Sequence, residues 1–406
     1  MERRAAGHPL GMADERERPA PLVRPPELRV EGERSASRLE LFFDLAYLLV
    51  VAELATALAE DLTWPGAAAF AGLFTVTWWS WVTTTLYANR FDTNDVVYRL
   101  AKLGTAAAVV GMAASARDAV GGKAVTFALC YLGTRVLLLA LYARAYRHVR
   151  DARATIRIYL AGVAAGAVLW AASVAVDGPA RYALWAAGIL AEAAAPLVAT
   201  RFGGGVPLHV EHLPERFGLF VMLVLGESIM SIASGVHETD WRADAVAPAA
   251  IAFLAVAAAW WNYFDLGGAA GKRRLETDGD DQESWVPDAY IYGHLPLTLG
   301  LAVFAVGVEE YIVHPGDGAP WALHGGVGLF LAGTAAVVAG TAGTLRAAWP
   351  WPAAALPVVA AIGIIDGTTD ALPAPAAIGL TGAVVVATVL AGIHRQRRGR
   401  LRTAET

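Results

Sequence analysis

The chain has 406 residues, of which 56% are hydrophobic and 17% are charged, with a formal net charge of -5. A soluble domain carries about 25% charged residues, so this composition argues against a soluble protein. The basic residues are scattered over loops instead of covering one surface, so no nucleic acid partner is expected. The single cysteine excludes a disulfide framework.

The first segment, residues 1–37, is rich in Arg, Pro and Glu, which predicts a disordered cytosolic tail. Apolar runs of about 17 to 24 residues follow, and runs of this length match the roughly 30 Å hydrocarbon core of a bilayer. The pattern predicts an all-α polytopic membrane protein, with a basic cytosolic tail at residues 395–406. The twelve predicted transmembrane helices lie near residues 41–60, 66–89, 101–118, 123–146, 156–176, 180–200, 214–236, 245–266, 289–312, 322–345, 351–369 and 373–394.

The lysines and arginines orient these helices. If the N-terminus is cytosolic, nearly all of the 32 basic residues fall in cytosolic segments. The outer segments hold only Arg117, Lys123, Arg181 and Arg242, and Arg135 lies inside a predicted helix. Because cytosolic loops of membrane proteins are enriched in Lys and Arg, both termini are predicted to be cytosolic.

Two stretches of the chain resemble each other. "LELFFDLAYLLVVAEL" precedes "WWSWVTTTLYANRFD", and "PERFGLFVMLVLGESIMSI" precedes "AAAWWNYFD". Because the offset is six predicted helices, the similarity predicts two parallel six-helix repeats, residues 38–205 and 206–394. Duplications of this kind build transporters in which two halves meet at a central site. Chance similarity between aromatic-rich helices is the alternative.

Polar side chains gather at the predicted cytosolic ends of these helices, and two acids lie deeper. At 1.5 Å per residue, Glu227 is about 18 Å along its helix from Glu215, and Glu53 is about 20 Å from Glu40. Charges inside a bilayer are costly and mark functional or paired positions. We therefore predict a polar pocket open to the cytosol, with Glu227 at its deep end and Glu53 across the repeat axis. The candidate pocket residues are Glu40, Asp44, Glu53, Asn89, Arg90, Asp92, His212, Glu215, Arg216, Glu227, Asp265 and His294.

Structural roles are the competing interpretation of the same residues. Glu215 and Arg216 can form an interfacial ion pair, and Asp44 can pair with an arginine to hold helices together. A protonated Glu227 can be hydrogen-bonded to another helix. The tryptophans near residue 80 are typical of bilayer-interface anchors.

Five motifs, in this order, resemble the bacterial low temperature requirement protein A family. They are "LELFFDLAYLLVVAEL" at 39–54, "WWSWVTTTLYANRFDTND" at 78–95, "HLPERFGLFVMLVLGESI" at 212–229, "WWNYFD" at 260–265 and "YIYGHLPLTLGLAVFAVGVE" at 290–309. The resemblance implies a polytopic protein of the bacterial inner membrane. It implies no particular substrate, reaction or cofactor, so the cofactor stays unknown.

A proton- or ion-coupled secondary transporter is the first functional hypothesis. Glu227, with Asp44 or Glu53, would bind a proton or cation. Arg90 and Arg216 would hold an anionic small molecule, since a guanidinium matches carboxylate and phosphate geometry. The chain has no GxxxxGK[ST] motif for ATP, so transport would use ion gradients.

Two other classes of function stay open. In a membrane-embedded enzyme or metal protein acting on lipids, His212 and Glu215 share one helix face, and His294 with Asp44 or Asp92 would complete a metal site. The chain lacks HExxH, and no metal site is predicted. The third hypothesis is a membrane sensor or structural protein for growth in the cold. The oligomeric state is left open by the sequence.

Overall fold

The computed structural model describes residues 22–29, 37–92, 94–203, 208–209, 212–278, 285–314, 320–349, 351–369 and 372–404, with side chains up to residue 398. Within these ranges the chain is almost entirely helical. The α-helices are α1 (Arg38–Glu60), α2 (Trp64–Arg90), α3 (Val96–Ser115), α4 (Ala124–His148), α5 (Arg153–Ser173), α6 (Pro179–Phe202), α7 (His212–Glu238), α8 (Ala243–Trp261), α9 (Gly268–Asp278), α10 (Val286–Val313), α11 (Pro320–Ala342), α12 (Leu356–Thr369) and α13 (Ala374–Ala404). Two short strands, β1 (Glu27–Leu28) and β2 (Phe91–Asp92), pair antiparallel.

The prediction of an all-α membrane protein is confirmed, and each of the twelve predicted spans overlaps one of these helices. Ten helical stretches in the described ranges are long and apolar enough to cross a membrane, fewer than the twelve predicted. The two exceptions are α2 and α12. Helix α12 has 14 residues, which is short of the roughly 20 residues that a span needs. Helix α2 has 27 residues but carries many hydroxyl, amide and indole groups.

Local sequence explains where the first helices begin. Ser37 accepts a hydrogen bond from the backbone N–H of Glu40, and the Glu40 side chain accepts one from the Ser37 backbone, which is a capping box. Thr63 caps α2, with a proline in its first turn. Asp95 caps α3 by accepting from the backbone N–H of Tyr98 at 3.0 Å. Each cap satisfies N–H groups that the helix itself leaves without an acceptor.

Helix α8 continues into α9 through a π-helical segment, Asn262–Gly267. The thirteen α-helical segments of the described chain therefore make twelve continuous helices. The run Ala243–Thr277 has 35 residues and is about 50 Å long. Because the hydrocarbon core is only roughly 30 Å thick, α9 extends beyond it.

Parts of both predicted tails have regular structure among the described residues. Residues 22–29 fall within the tail predicted to be disordered, but β1 pairs with β2 and the Arg29 N–H donates to the Arg90 carbonyl at 3.1 Å. These backbone hydrogen bonds hold the segment at the end of α2. The rest of that tail, apart from Ser37, lies outside the described residues. At the other end, α13 runs to Ala404, so residue 395 does not end the helix.

Helices α10 and α11 pack backbone to backbone. Glycines recur every seven residues on both helices, at 293, 300 and 307 on α10 and at 326, 333 and 340 on α11. A Cβ on Gly300 would lie 2.3 Å from the Phe330 backbone nitrogen, and one on Gly333 would lie 2.3 Å from that of Leu297. Only glycine allows this approach, which is a common basis of helix association in membranes.

Helix α2 lies in the middle of the bundle and contacts α1, α4, α6, α7 and α10. The end of α2 lies beside the starts of four other helices, α1, α3, α7 and α10. Contacts between their side chains hold these helix ends together. We call this end of the bundle the basic end, because most of the lysines and arginines in the described ranges lie there.

Candidate functional site

The second half of α2 is a polar helix enclosed by other helices. Every residue from 76 to 91 is buried. Several of its hydroxyl groups bond within the helix: Thr83 donates to the Trp79 carbonyl at 3.0 Å, and Thr84 donates to the Ser80 carbonyl at 2.9 Å. This bonding lets polar side chains occupy the dry centre of the bundle.

A buried ion pair joins α1 to α7. The Arg216 Nη2 donates to Asp44 Oδ1 at 2.7 Å, and the Trp81 Nε1 donates to the same oxygen at 2.9 Å. The Asp44 residue is 2% exposed and Arg216 is 1% exposed. The structure thus brings together two of the predicted pocket residues from different halves of the sequence.

Two further charges lie beside this pair. The Lys102 Nζ is buried 3.6 Å from the centre of the Phe43 ring, a cation–π contact. Glu40 accepts hydrogen bonds from the Ser37 backbone at 2.8 Å and from the Ser37 hydroxyl at 2.9 Å. The positive charges of Lys102 and Arg216 attract the Glu40 carboxylate. We call the following residues the Asp44 cluster: Glu40, Asp44, Trp81, Lys102 and Arg216.

Three buried atoms of the Asp44 cluster have no hydrogen-bond partner among the described residues. They are Oδ2 of Asp44, Nζ of Lys102 and Nη1 of Arg216. Buried polar atoms are normally satisfied by protein or by ordered water. Three such atoms in one cluster therefore indicate a position for water, an ion or a small polar solute.

A second buried ion pair joins α4 to α6. The Arg135 Nη1 donates to Glu192 Oε2 at 2.8 Å, and both side chains are 0% exposed. The Tyr131 hydroxyl also donates to Glu192, at 3.1 Å. On its other side Arg135 donates to the hydroxyl oxygens of Thr83 at 2.9 Å and Ser80 at 2.7 Å. We call these five residues the Glu192 cluster.

The two clusters adjoin at α1 and α2. Tyr47 lies one turn after Asp44, and its hydroxyl is hydrogen-bonded to Ser80 Oγ at 3.0 Å. That oxygen also accepts from Arg135, while Trp81, the next residue, donates to Asp44. Both Asp44 and Arg135 act electrostatically on Tyr47. Polar groups therefore follow one another from Arg216 to Glu192.

Asn89 and Arg90 close α2 at the basic end. The Asn89 amide donates to the His209 carbonyl at 2.9 Å and accepts from the His209 N–H at 2.8 Å, so it holds the segment before α7. The Arg90 guanidinium lies 4.8 Å from the centre of the Tyr159 ring. Its Nε and Nη1 are buried and have no hydrogen-bond partner in the described part of the chain. Arg90 also acts electrostatically on Asp288.

Three predicted pocket residues, Asp92, His212 and Glu215, lie in two ion pairs at the basic end. Asp92 and Arg24 form an ion pair at 3.4 Å in which both side chains are more than 40% exposed. The Nδ1 of His212 is 3.3 Å from Glu215 Oε2, one helical turn away. The Glu215 side chain is 38% exposed. Asp92 and Glu215 therefore lie at the rim of the basic end, whereas His212 is buried.

The two acids predicted to lie deepest have different surroundings. Glu53 is paired with Arg117 at 2.6 Å, near the opposite end of the bundle. Glu227 is 6% exposed, and its Oε2 has no hydrogen-bond partner among the described residues. The charged group that acts electrostatically on it is the carboxylate of Glu309 in α10. Neither acid contacts the Asp44 cluster.

Asp265 and His294 also lie outside that cluster. The Asp265 side chain is exposed, while its carbonyl accepts from Gln396 at 3.0 Å. His294 is completely buried, its Nδ1–H donates to the Tyr290 carbonyl at 2.7 Å, and its Nε2 is 2.9 Å from the Tyr263 hydroxyl. A neutral imidazole satisfies both contacts, with Tyr263 donating to Nε2.

The arrangement considered for a metal protein is not formed. In the described ranges, no three side chains of His, Cys, Asp or Glu stand together as metal ligands. His212 pairs with Glu215, whereas His294 is bonded to tyrosine and a backbone carbonyl.

The structure places Lys102, Arg135 and Glu192 in the two buried clusters, although the predicted pocket does not include them. The sequence carries a signal for two of them. Arg135 and Glu192 stand alone among apolar residues, in "LGTRVLLL" and "GILAEAAAPL". Isolated charges inside predicted spans usually face the bundle interior and pair with each other.

A third polar group that was not predicted links α10, α11, α12 and α13. The His324 Nε2 is 2.8 Å from Asp366 Oδ2, which also accepts from the Tyr311 hydroxyl. Because the Thr381 hydroxyl donates to a backbone carbonyl, its oxygen accepts from the His324 Nδ1–H at 2.6 Å. We call these four residues the Asp366 cluster.

Sequence comparisons agree with this architecture. The family model of the bacterial low temperature requirement A protein (LtrA) matches residues 35–391, which include both ion-pair clusters. An uncharacterized protein of Rhizobium meliloti (strain 1021) is 29% identical over 316 residues, 74% of this chain and 76% of that relative. Since the family match covers most of the chain, this multi-pass membrane protein belongs to the bacterial low temperature requirement A family.

Proposed function

We propose that the protein is a proton- or ion-coupled secondary transporter of the bacterial inner membrane, with both termini in the cytosol. Its substrate path begins in a polar pocket at the basic end and includes the Asp44 and Glu192 clusters. The observation that carries the proposal is the pair of adjoining clusters, whose charged side chains are 3% exposed or less. The basic end faces the cytosol, in keeping with its lysines and arginines.

The cost of these charges favours function over a purely structural role. Removing a charge from water costs several kcal/mol even when it is paired. Apolar residues of similar volume often give equal or greater stability than a buried ion pair. Six charges in two adjoining clusters, with three polar atoms left unsatisfied, are therefore better explained by a solute that needs them.

The depth of the two clusters supports a path into the membrane. Asp44 is six residues from the start of α1 and Glu192 is ten residues from the end of α6. At 1.5 Å per residue these positions are about 9 and 15 Å along their helices. The polar groups thus extend over about half of a roughly 30 Å hydrocarbon core.

Helix contacts support the proposed two-half arrangement. In the first half α1 contacts α2 and α3, and in the second half its counterpart α7 contacts the corresponding helices α8 and α10. The later pairs α3–α4, α4–α5 and α5–α6 correspond to α10–α11, α11–α12 and α12–α13. Helix α1 also contacts its counterpart α7, and the Asp44–Arg216 pair lies between them. In repeat transporters the substrate site lies at such an interface.

The transported species is proposed to be a small anion together with a proton or cation. Arg90 and Arg216 have buried guanidinium nitrogens with no partner in the described residues, and they suit a carboxylate or phosphate. Glu192 and Glu227 are the acids proposed to bind the coupling ion. Glu227 lies beside another carboxylate, Glu309, and two facing carboxylates favour a shared proton or a cation.

The test is transport by protein reconstituted into liposomes that contain a pH dye. Gradients of pH and membrane potential are imposed while small anions, amines and lipid headgroup precursors are screened. We expect substrate-dependent proton flux that is lost in Asp44→Asn and in Glu192→Gln. Asp265→Asn is the matched control, because that acid is exposed and outside both clusters.

The outcomes separate transport from a structural role. Loss of flux in cluster variants that still fold and insert at the assay temperature, with flux retained in Asp265→Asn, supports the proposal. Glu227→Gln then shows whether that acid belongs to the same path. If the wild type gives no flux with any gradient or solute, and the cluster variants only lower thermal stability, the charges are structural and the proposal is wrong.

A further inference from the structure

A second candidate binding site lies at the basic end, separate from both clusters. It is a cavity of about 380 Å³ between α9, α11, α13 and the segment after α11. Leu266, Ala270, Val338 and Trp351 form an apolar part of its lining. The remaining lining includes three arginines, Arg273, Arg274 and Arg395, and none of the described lining residues is an acid.

The polar groups of this cavity are mainly donors. The Trp351 indole N–H is buried, in a residue that is 6% exposed, and it has no hydrogen-bond partner among the described residues. Arg395 uses Nη1 for the Ala347 carbonyl at 3.0 Å, which leaves its other N–H groups for a ligand. Glu276, an acid of α9, pairs with Lys272 at 3.6 Å. A donor-rich, positive cavity suits an anion with several acceptor oxygens.

The cavity lies at the depth of the lipid headgroups. Arg395 is 21 residues beyond the start of α13, about 32 Å along the helix, which is close to the thickness of the hydrocarbon core. Arg273 lies on α9, the part of the long helix that extends beyond that core. A ligand held here has its charged group at the membrane surface and its apolar part against Leu266 and Val338.

We propose that this cavity binds a phosphate group carried by an anionic phospholipid, independently of the transport path. The guanidinium groups of Arg273 and Arg395 and the indole N–H of Trp351 would hold the phosphate oxygens, while the apolar lining contacts the glycerol and the first acyl carbons. Basic pockets between helices on the cytosolic side of membrane proteins recognise anionic headgroups in this way.

The test measures binding of phosphatidylglycerol to the detergent-purified protein, by native mass spectrometry and by the shift in its thermal unfolding. Phosphatidylcholine with the same chains and inorganic phosphate are the comparison ligands. The variant Arg273→Gln/Arg395→Gln removes two charges from the cavity, and Trp351→Phe removes only the indole N–H. Arg397→Gln/Arg398→Gln is the control, because it removes two charges from exposed positions on the same helix outside the cavity.

We expect the wild type and the control to bind phosphatidylglycerol equally and the cavity variant to bind it about 10- to 30-fold more weakly. Trp351→Phe should weaken binding with an unchanged net charge. If inorganic phosphate competes with the lipid, or binds alone in a manner sensitive to the cavity variant, the phosphate is the recognised group and a soluble phosphate is a second source. Equal lipid binding by the cavity variant and the control would overturn the proposal, as would equal binding of phosphatidylcholine.

Discussion

Breaking the Arg135–Glu192 pair should lower the free energy of unfolding by very different amounts, depending on which partner is removed. Glu192→Gln leaves a guanidinium in a completely buried position, where Ser80 and Thr83 still accept its hydrogen bonds but no counter-charge remains. An arginine cannot lose its proton in a protein. Removing one partner of a buried ion pair costs about 3–5 kcal/mol, so we expect a loss of that size.

Arg135→Met leaves the carboxylate instead. Glu192 can take up a proton and still accept the hydrogen bond from Tyr131 at 3.1 Å. The remaining cost is that of poorly satisfied polar groups, about 1–3 kcal/mol. The double variant, Arg135→Met with Glu192→Gln, should recover much of the loss caused by Glu192→Gln, because it has no buried charge.

The measurement is reversible unfolding in mixed micelles at pH 7 for the wild type, the two single variants and the double variant. Glu53→Gln is the control, since its pair with Arg117 is partly exposed and should contribute about 0–1 kcal/mol. A cost for Arg135→Met equal to or greater than that for Glu192→Gln would refute the reasoning. Additive single-variant effects would also refute it, because the two side chains would then not depend on each other.

Three further predictions concern other parts of the described chain. Gly333→Ala should destabilise the protein by about 1–3 kcal/mol, because a Cβ there meets the α10 backbone at 2.3 Å, whereas Gly325→Ala on the same helix has open space and should be nearly neutral in the same unfolding assay. Burial disfavours the charged form of Asp95, but hydrogen bonds from Arg144 and from backbone N–H groups outweigh it and lower the pKa of Asp95. A lowered pKa stabilises the fold above the unfolded value of about 3.9, and this contribution is lost as the pH falls through the folded value. Arg144→Gln should therefore cost about 1.5–3 kcal/mol at pH 7, and its difference from the wild type should shrink as unfolding is measured below pH ~4; a difference independent of pH would contradict the assignment. His324→Phe should lower stability by about 1–3 kcal/mol, since it removes one hydrogen bond each from the buried side chains of Asp366 and Thr381. Unchanged unfolding would contradict this role.

The membrane helices could be predicted from the sequence because length and hydropathy alone set the conditions for crossing a bilayer. Helix α11 shows the limit of this signal. Its glycines and alanines dilute its apolar character, but the glycines at 326 and 333 are what allow close packing against α10. Whether a glycine weakens a helix or joins two helices depends on the surface opposite, which a single sequence does not contain.

The candidate site could be predicted in part for a similar reason. Asp44 and Arg216 lie at the same depth, near the starts of their helices, and depth can be counted along the chain. Which helices lie next to a given face of a helix cannot be worked out from position along the chain. Glu53 was expected across a repeat axis from Glu227, but its helix face turns it towards Arg117.

Helix α2 illustrates both limits of prediction from sequence, that of hydropathy and that of unknown neighbours. Its indole, hydroxyl and amide groups make it too polar to count as a span by hydropathy, and the same groups bond to Asp44, Arg135 and the segment before α7. A helix of this kind is unfavourable against lipid and becomes favourable only when other helices enclose it. Its contacts include α1 and α4, which come from its own half, and α7 and α10, which come from the other half. The second half of the chain therefore completes the surroundings that α2 needs, and both ion pairs depend on that assembly.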